Sequence, residues 1–390
     1  MSEDRLLTKN FLWVILINTF FHLNFTSFFL LPLFIKSLGG DEGNIGVIMG
    51  VAGFASIVVI PFTGSLIDKF GRKPFLLYGN LIMSIVALIF VNIKTLNIPL
   101  FVLLRIIQGF GFAFTFVSAQ TVVIDIVSES RRAEGLGFFG VFTMATHALG
   151  PAIGEIIQSK FGFSTLFLCA MFFSIIALFL SRSINETGTT GEKFTNPFVF
   201  LMNSQNLYGT LFTTIICGGG FASVLVFITT YMQELALKPV SVFFLSYTIA
   251  AIITRIFLGQ LADKFERSRI IIPSMFLYGM SILCLVFTKN MLLLILDAAV
   301  FGIAHGFIYP AMGAMVVDIS GTAKGKGLSF YSASFSFGFT LSSIASGFIT
   351  KHYGYANMFA TSGLVVFMGM LIFYFVSRRL NHTVESGQVN

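Results

Sequence analysis

The chain has 390 residues, of which 56% are hydrophobic and only 11% charged, against about 25% charged in an average soluble domain. With a mean hydropathy of +0.89, this argues against a soluble enzyme; about twelve spans of roughly 20 residues leave no stretch for an appended catalytic or DNA-binding domain. The net charge of +7 and pI near 9.3 are expected to reflect cations held on the cytoplasmic side of a membrane, not nucleic-acid binding.

In chain order the apolar runs fall at 11–35, 44–67, 74–93, 99–125, 136–158, 162–181, 207–231, 240–262, 270–288, 291–318, 326–350 and 355–377. In a bilayer each must be a helix, because its backbone amides have no water to bond. Turn signals separate them at Gly39-Gly40, Asn97-Ile98-Pro99, Lys238-Pro239 and Gly321. The N-terminal MSEDRLLTKN enters the first run without a small-residue cleavage site, which predicts a retained first helix. That helix carries Asn18, His22 and Thr26 at four-residue spacing, a polar stripe that must face protein or a wet cavity. The fourth run carries Arg105, then Gln108, Phe112 and Phe116; the two phenylalanines suit a cavity wall or plain packing equally. The fifth holds His147, Gly150, Pro151, Gly154 and Glu155, the eighth Arg255, and the tenth Asp297, His305 and Tyr309. The cysteines, Cys169, Cys217 and Cys284, are far apart in apolar runs, so neither a metal site nor a disulfide framework is expected.

Cation placement sets the orientation. With a cytoplasmic N-terminus, Arg5, Lys9, Lys69, Arg72, Lys73, Arg131, Arg132, Arg182, Lys193, Lys264, Arg267, Arg269, Lys324, Lys326, Arg378 and Arg379 lie inside. Lys36, Lys94, Lys160, Lys238, Lys289 and Lys351 lie outside, and only Arg105 and Arg255 fall within spans. That bias fits twelve spans with both termini cytoplasmic.

The chain reads as a duplication. Gly64-Ser65-Leu66-Ile67-Asp68-Lys69-Phe70 recurs as Gly259-Gln260-Leu261-Ala262-Asp263-Lys264-Phe265, an offset of 195 residues. Val123-Ile124-Asp125-Ile126 with Gly135-Leu136-Gly137-Phe138 recurs as Val316-Val317-Asp318-Ile319 with Gly327-Leu328-Ser329-Phe330, at offsets of 192 to 193. The expected organisation is a six-helix bundle at 1–182, a polar cytoplasmic linker at 183–206 and a second bundle at 207–390. Parallel repeats of this kind place a substrate site near the midplane between the halves.

Gly64-x-x-x-Asp68-Lys69-x-Gly71-Arg72-Lys73 resembles the loop 2–3 signature of the major facilitator superfamily, and Arg105-x-x-Gln108-Gly109-x-Gly111 resembles the signature that follows it. Gly137, Gly150-Pro151 and Gly154 are similar to the antiporter signature of drug:proton exporters, with Thr146 standing where that pattern has Gly and Glu155 replacing its last Gly. The resemblance covers the whole chain. It implies an all-α membrane fold of twelve helices in two pseudo-symmetric bundles, without a cofactor. It implies a cytoplasmic gate at Gly64, Asp68, Gly71 and Arg72, with a weaker second copy at Asp263, where Glu266 and Ser268 break the pattern. Arg255, two turns before Asp263, is read as a gating partner. The resemblance also implies that the first, fourth, seventh and tenth helices line the cavity, which makes Asn18, His22, Gln108, Phe112, His305 and Tyr309 candidate substrate contacts.

An arginine inside a span needs a partner or water. Arg105 is expected to choose between Glu155 in its own half and Asp297 in the other, and protonating either acid would release it. The functional expectation is a secondary transporter working by alternating access, a proton-coupled exporter of a drug, metallophore or other amphipathic compound in a bacterial cytoplasmic membrane. Its expected partners are a small molecule, protons and lipids, and a monomer should suffice. A proton-driven importer, a lipid flippase and a non-transporting sensor are the alternatives. No Walker-type phosphate loop is present in the sequence.

Overall fold

Backbone amides in hydrocarbon must be satisfied within their own segment, and the apolar runs accordingly fold as helices. The computed structural model describes residues 6–128, 131–187, 197–202, 204–258, 266–321 and 324–385. Among them nine helices are long and apolar enough to cross a bilayer. Two of these are double: Arg132–Arg182 turns at Gly162 and Lys324–Glu385 at Gly354. With the shorter apolar helix Ser241–Phe257, they supply the twelve predicted spans of a multi-pass membrane protein.

Local chemistry explains the ends. Asp41 and Asn44 form a reciprocal capping box ahead of the second span, Glu42–Phe70: the Asn44 amide donates to Asp41 Oδ1 at 2.8 Å, and the Asp41 amide to Asn44 Oδ1 at 3.1 Å. The fourth span, Ile98–Ile126, starts on Asn97, whose side chain accepts from the Leu100 amide. The tenth, Met291–Ile319, starts on Asn290, which accepts from Leu293 in the same way. The first span is not one straight rod. Lys9–Ser27 passes through a 3-10 turn, Phe28–Leu30, into Leu31–Ser37, because Pro32 has no amide hydrogen to continue the ladder. Buried hydroxyls bond back to their own helix, as Thr26 does to the His22 carbonyl and Thr63 to that of Val59, each at 2.8 Å.

The described residues divide into two compact units. One gathers the chain up to Asn44, then Val51–Thr195 and Lys238–Leu245; the other gathers Ile45–Gly50, Asn196–Leu237 and the chain from Ser246 on. In the first unit the first span packs on the fifth–sixth helix, and the third span, Arg72–Val91, packs on that helix and on the fourth. In the second unit the seventh span, Tyr208–Glu234, packs on the eleventh–twelfth helix, and the ninth, Arg267–Cys284, packs on that helix and on the tenth. The same pairings thus recur six spans later, as the sequence duplication requires. The breaks repeat too: Gly162 (φ 84°, ψ 173°) and Gly354 (φ 82°, ψ 169°) adopt one backbone geometry that is reserved almost wholly for glycine.

Phenylalanine, the commonest aromatic residue with 49 copies, forms much of the packing. Phe90 meets Phe28, Phe101 and Phe167 at ring distances of 5.2–5.3 Å, and Phe167 meets Phe34 at 5.1 Å. Such pairs add about 0.5–1.5 kcal/mol each beyond area burial. The single tryptophan, Trp13, is partly buried against the cluster that includes Leu6, Phe11, Val123 and Ile184.

Candidate functional site

In the first unit, Gly71 (φ 93°) turns the chain between the second and third spans, and its amide closes the second span on the Ile67 carbonyl at 2.9 Å. Arg72 starts the third span. Its Nε donates to Asp125 Oδ2 at 3.0 Å, and its guanidinium also donates to the Ile67 carbonyl. Glu186, just past the sixth span, accepts from the Arg72 and Lys73 amides at 2.8 and 3.1 Å, an anion on a helix N-terminus. Thr187 donates to the same Asp125 oxygen at 2.7 Å. The pair recurs in the second unit, where Arg267 Nε lies 3.4 Å from Asp318 Oδ2. Asp125 and Asp318 already match in the sequence repeat; the missed inference was that a carboxylate kept in both copies needs a cation. Glu186 left no such signal. Gly64 and Asp68 lie on the second span, but the Asp68 side chain, like the whole of Asp263, falls outside the described residues.

The polar stripe of the first span is buried. Asn18 donates to the Thr143 hydroxyl at 2.8 Å, and His22 Nδ1 lies 2.9 Å from the Asn18 carbonyl. The His22 ring stands edge-on to Phe112 and Phe116 of the fourth span, at 6.0 and 5.7 Å. About two turns before Phe112 on that helix, Arg105 donates to Gln108 Oε1 and lies 5.9 Å from the Phe28 ring centre. His22 and Phe112 thus meet between the first and fourth spans, while Asn18 faces the fifth span and Gln108 holds Arg105. His147 meets Phe29 edge-on at 5.3 Å.

On the fifth span a Cβ at Gly150 would collide with Thr26, and one at Gly154 would press Leu30 and Leu166 at 3.0 Å. The Gly150-Pro151-Gly154 segment is thus the seat of the first span. Glu155 was expected to meet Arg105. Instead its two oxygens accept from the amides of Val240 and Ser241, each at 2.8 Å, residues of the same compact unit at the start of the eighth span. Backbone amides carry no side-chain signature, so the sequence offered no pointer to them.

In the second unit Asp297 is buried, and its Oδ2 has no hydrogen-bond partner among the described residues. One face of the tenth span carries His305 and Tyr309, ring centres 5.9 Å apart. His305 stacks on Phe221 at 4.6 Å. Tyr309 meets Phe335 at 5.4 Å and Tyr331 at 5.3 Å, and the Tyr331 hydroxyl donates to the Tyr309 carbonyl at 2.7 Å. Arg255 sits in a π-helical turn, Thr254–Leu258, with its guanidinium carbon 5.9 Å from the Tyr309 ring centre. Such turns cluster at functional positions.

An ion pair present in both copies, a glycine-seated fifth span and polar groups buried along the first, fourth and tenth spans suit movement of a solute rather than bond-breaking chemistry. Known proteins agree. Residues 12–246 and 210–389 match the sequence profile of the Major Facilitator Superfamily. The chain is 24% identical over 308 residues to the "Multi-drug resistance efflux pump PmrA homolog" of Lactococcus lactis subsp. lactis (strain IL1403), covering 74% of this chain and 75% of that one. It is 24% identical over 379 residues to "Multidrug resistance protein MdtG" of Enterobacter lignolyticus (strain SCF1), covering 92% and 89%. Among solved structures, that of the nucleoside transporter NupG superposes with a TM-score of 0.80 at 12% identity, covering 95% of this chain and 99% of that one. The twelve spans, their repeated packing and the matched profile together make this chain a member of the major facilitator superfamily, a family of membrane transporters of small molecules.

Proposed function

We infer that the protein is a proton-coupled exporter of an amphipathic small molecule in a bacterial cytoplasmic membrane. Both termini lie in the cytoplasm and a monomer is the working form. The functional halves are residues 1–182 and 207–390, joined by the linker 183–206. The relative named as a multi-drug resistance efflux pump supports the direction, and the distribution of loop cations supports the orientation.

The observation that carries proton coupling is the Glu155 carboxylate bonded to the Val240 and Ser241 amides. Ionised, it accepts two charge-assisted bonds at a helix N-terminus, where negative charge is favoured. Protonated, it loses that charge, and its added hydrogen cannot face an amide donor. Protonation therefore weakens the hold on the eighth span. The charged residue nearest to Glu155 in sequence is Lys160, and the one nearest to the Val240 amide is Lys238. Arg105 and Asp297 are further proton-linked groups in this reading.

The test is efflux of a fluorescent drug panel from a pump-deficient bacterial host, comparing wild type with Glu155→Gln. The expected result is efflux by the wild type that collapses with an uncoupler and is lost in Glu155→Gln at equal expression. Uncoupler-sensitive efflux that persists in Glu155→Gln would remove Glu155 from the mechanism. Inward accumulation of the panel would reverse the direction.

A further inference from the structure

Arg255 is a fixed charge inside an apolar helix, and the described side chains around it offer ring faces rather than an anion. Its guanidinium lies over Tyr309, and Tyr309, Tyr247 and Tyr331 are close enough to interact with it electrostatically. Its Nε is buried without a hydrogen-bond partner, and among the described residues no carboxylate pairs with it. Intramembrane arginines face the bundle interior or a wet cavity and need compensation there. Tyrosine faces stabilise the cation through their quadrupoles, yet they leave the buried Nε without an acceptor. The planar guanidinium fork matches a carboxylate or phosphate in bidentate geometry.

The surroundings select what carries the acid. Tyr309 continues along the tenth span to His305, which lies 5.9 Å away and stacks on Phe221 at 4.6 Å with an interplanar angle of 19°. A cation thus stands at one end of a row of aromatic rings, a combination suited to a flat ring system bearing one acidic group. All of these residues belong to the second unit. We propose that Arg255, with Tyr309 and His305, forms a subsite for the acidic end of an aromatic organic anion. Arg255 grips the acid, and Tyr309 and His305 take the ring. This rests on the exporter reading and names its substrate class.

The purified full chain, in nanodiscs of zwitterionic phosphatidylcholine so that no lipid of net negative charge competes, is titrated by fluorescence anisotropy with two xanthene dyes. Carboxyfluorescein is anionic; tetramethylrhodamine methyl ester is cationic. The wild type should prefer carboxyfluorescein. Arg255→Gln should lower the ratio of the two affinities at least tenfold, with Arg255→Lys intermediate because an ammonium keeps the charge but not the fork. Tyr309→Leu should weaken carboxyfluorescein by removing the ring, while Tyr309→Phe should hold it within threefold. A wild type that binds neither dye, or prefers the cation, overturns the proposal, as does an unchanged ratio in Arg255→Gln. If Arg255→Gln does not fold, Arg255→Lys and Tyr309→Leu carry the same test. If anisotropy gives a preference unaltered by these variants while cells still extrude the cationic dye in an uncoupler-sensitive way, the subsite fails and the exporter reading stands. Arg255-dependent binding without any efflux would leave the subsite standing and sink the exporter reading.

Discussion

Gly150 and Thr26 show how tightly single side chains set the seat between the first and fifth spans. A Cβ at position 150 would overlap the Thr26 side chain and lie 3.1 Å from its backbone carbonyl carbon. Gly150→Ala should lower the melting temperature of the purified protein, at a cost of about 1–3 kcal/mol for overpacking. Adding Thr26→Gly should restore most of that loss, whereas equal melting of the single and double variants would show that the seat yields freely. The polar residues worth attention at this scale were legible in the sequence, since a charge or a histidine inside an apolar run stands out. Their partners were not. Arg105 reaches Gln108 one turn along its own helix rather than Glu155, and Glu155 reaches two backbone amides. Side-chain identity and spacing along one helix are written in a sequence; the distance to another helix is set by packing.

The helices were read almost whole, because each span must be apolar over a length fixed by the bilayer. The break between the fifth and sixth runs fell where Gly162 reverses the chain, and the one between the eleventh and twelfth where Gly354 does. Alanine at either position would sit in a region that costs about 1–3 kcal/mol outside glycine. Gly162→Ala and Gly354→Ala should therefore each lower thermal stability by a similar amount, and a large difference between them in a melting assay would argue against equivalent roles. Two features escaped the sequence reading. The 3-10 turn at Phe28–Leu30 follows from Pro32, a signal that was available. The π-helical turn at Thr254–Leu258 contains neither proline nor glycine, so no local residue announces it.

For the whole molecule, duplication is the organising fact. It appears as two sequence matches at offsets of 192–195 residues, as matching asparagine caps at Asn97 and Asn290, and as the ion pairs Arg72–Asp125 and Arg267–Asp318. The distribution of cations around these repeats predicts topology. In a background with Cys169, Cys217 and Cys284 replaced by serine, Lys238→Cys should react with a membrane-impermeant maleimide in intact cells. Arg182→Cys should react only after permeabilisation. Labelling of both from outside, or the reverse pattern, would overturn the assignment of both termini to the cytoplasm.

The lone Trp13 has a use that its packing against the Val123 and Ile184 cluster makes plain. Excitation at the red edge of protein absorbance selects one indole in the whole chain, near the N-terminal end of the first span. Its emission maximum and its quenching by lipid-borne bromine therefore report a single known locus, free of the overlap that blurs intrinsic fluorescence in most transporters. Rearrangement there during turnover can be followed in unlabelled protein, at the speed of a stopped-flow mixer.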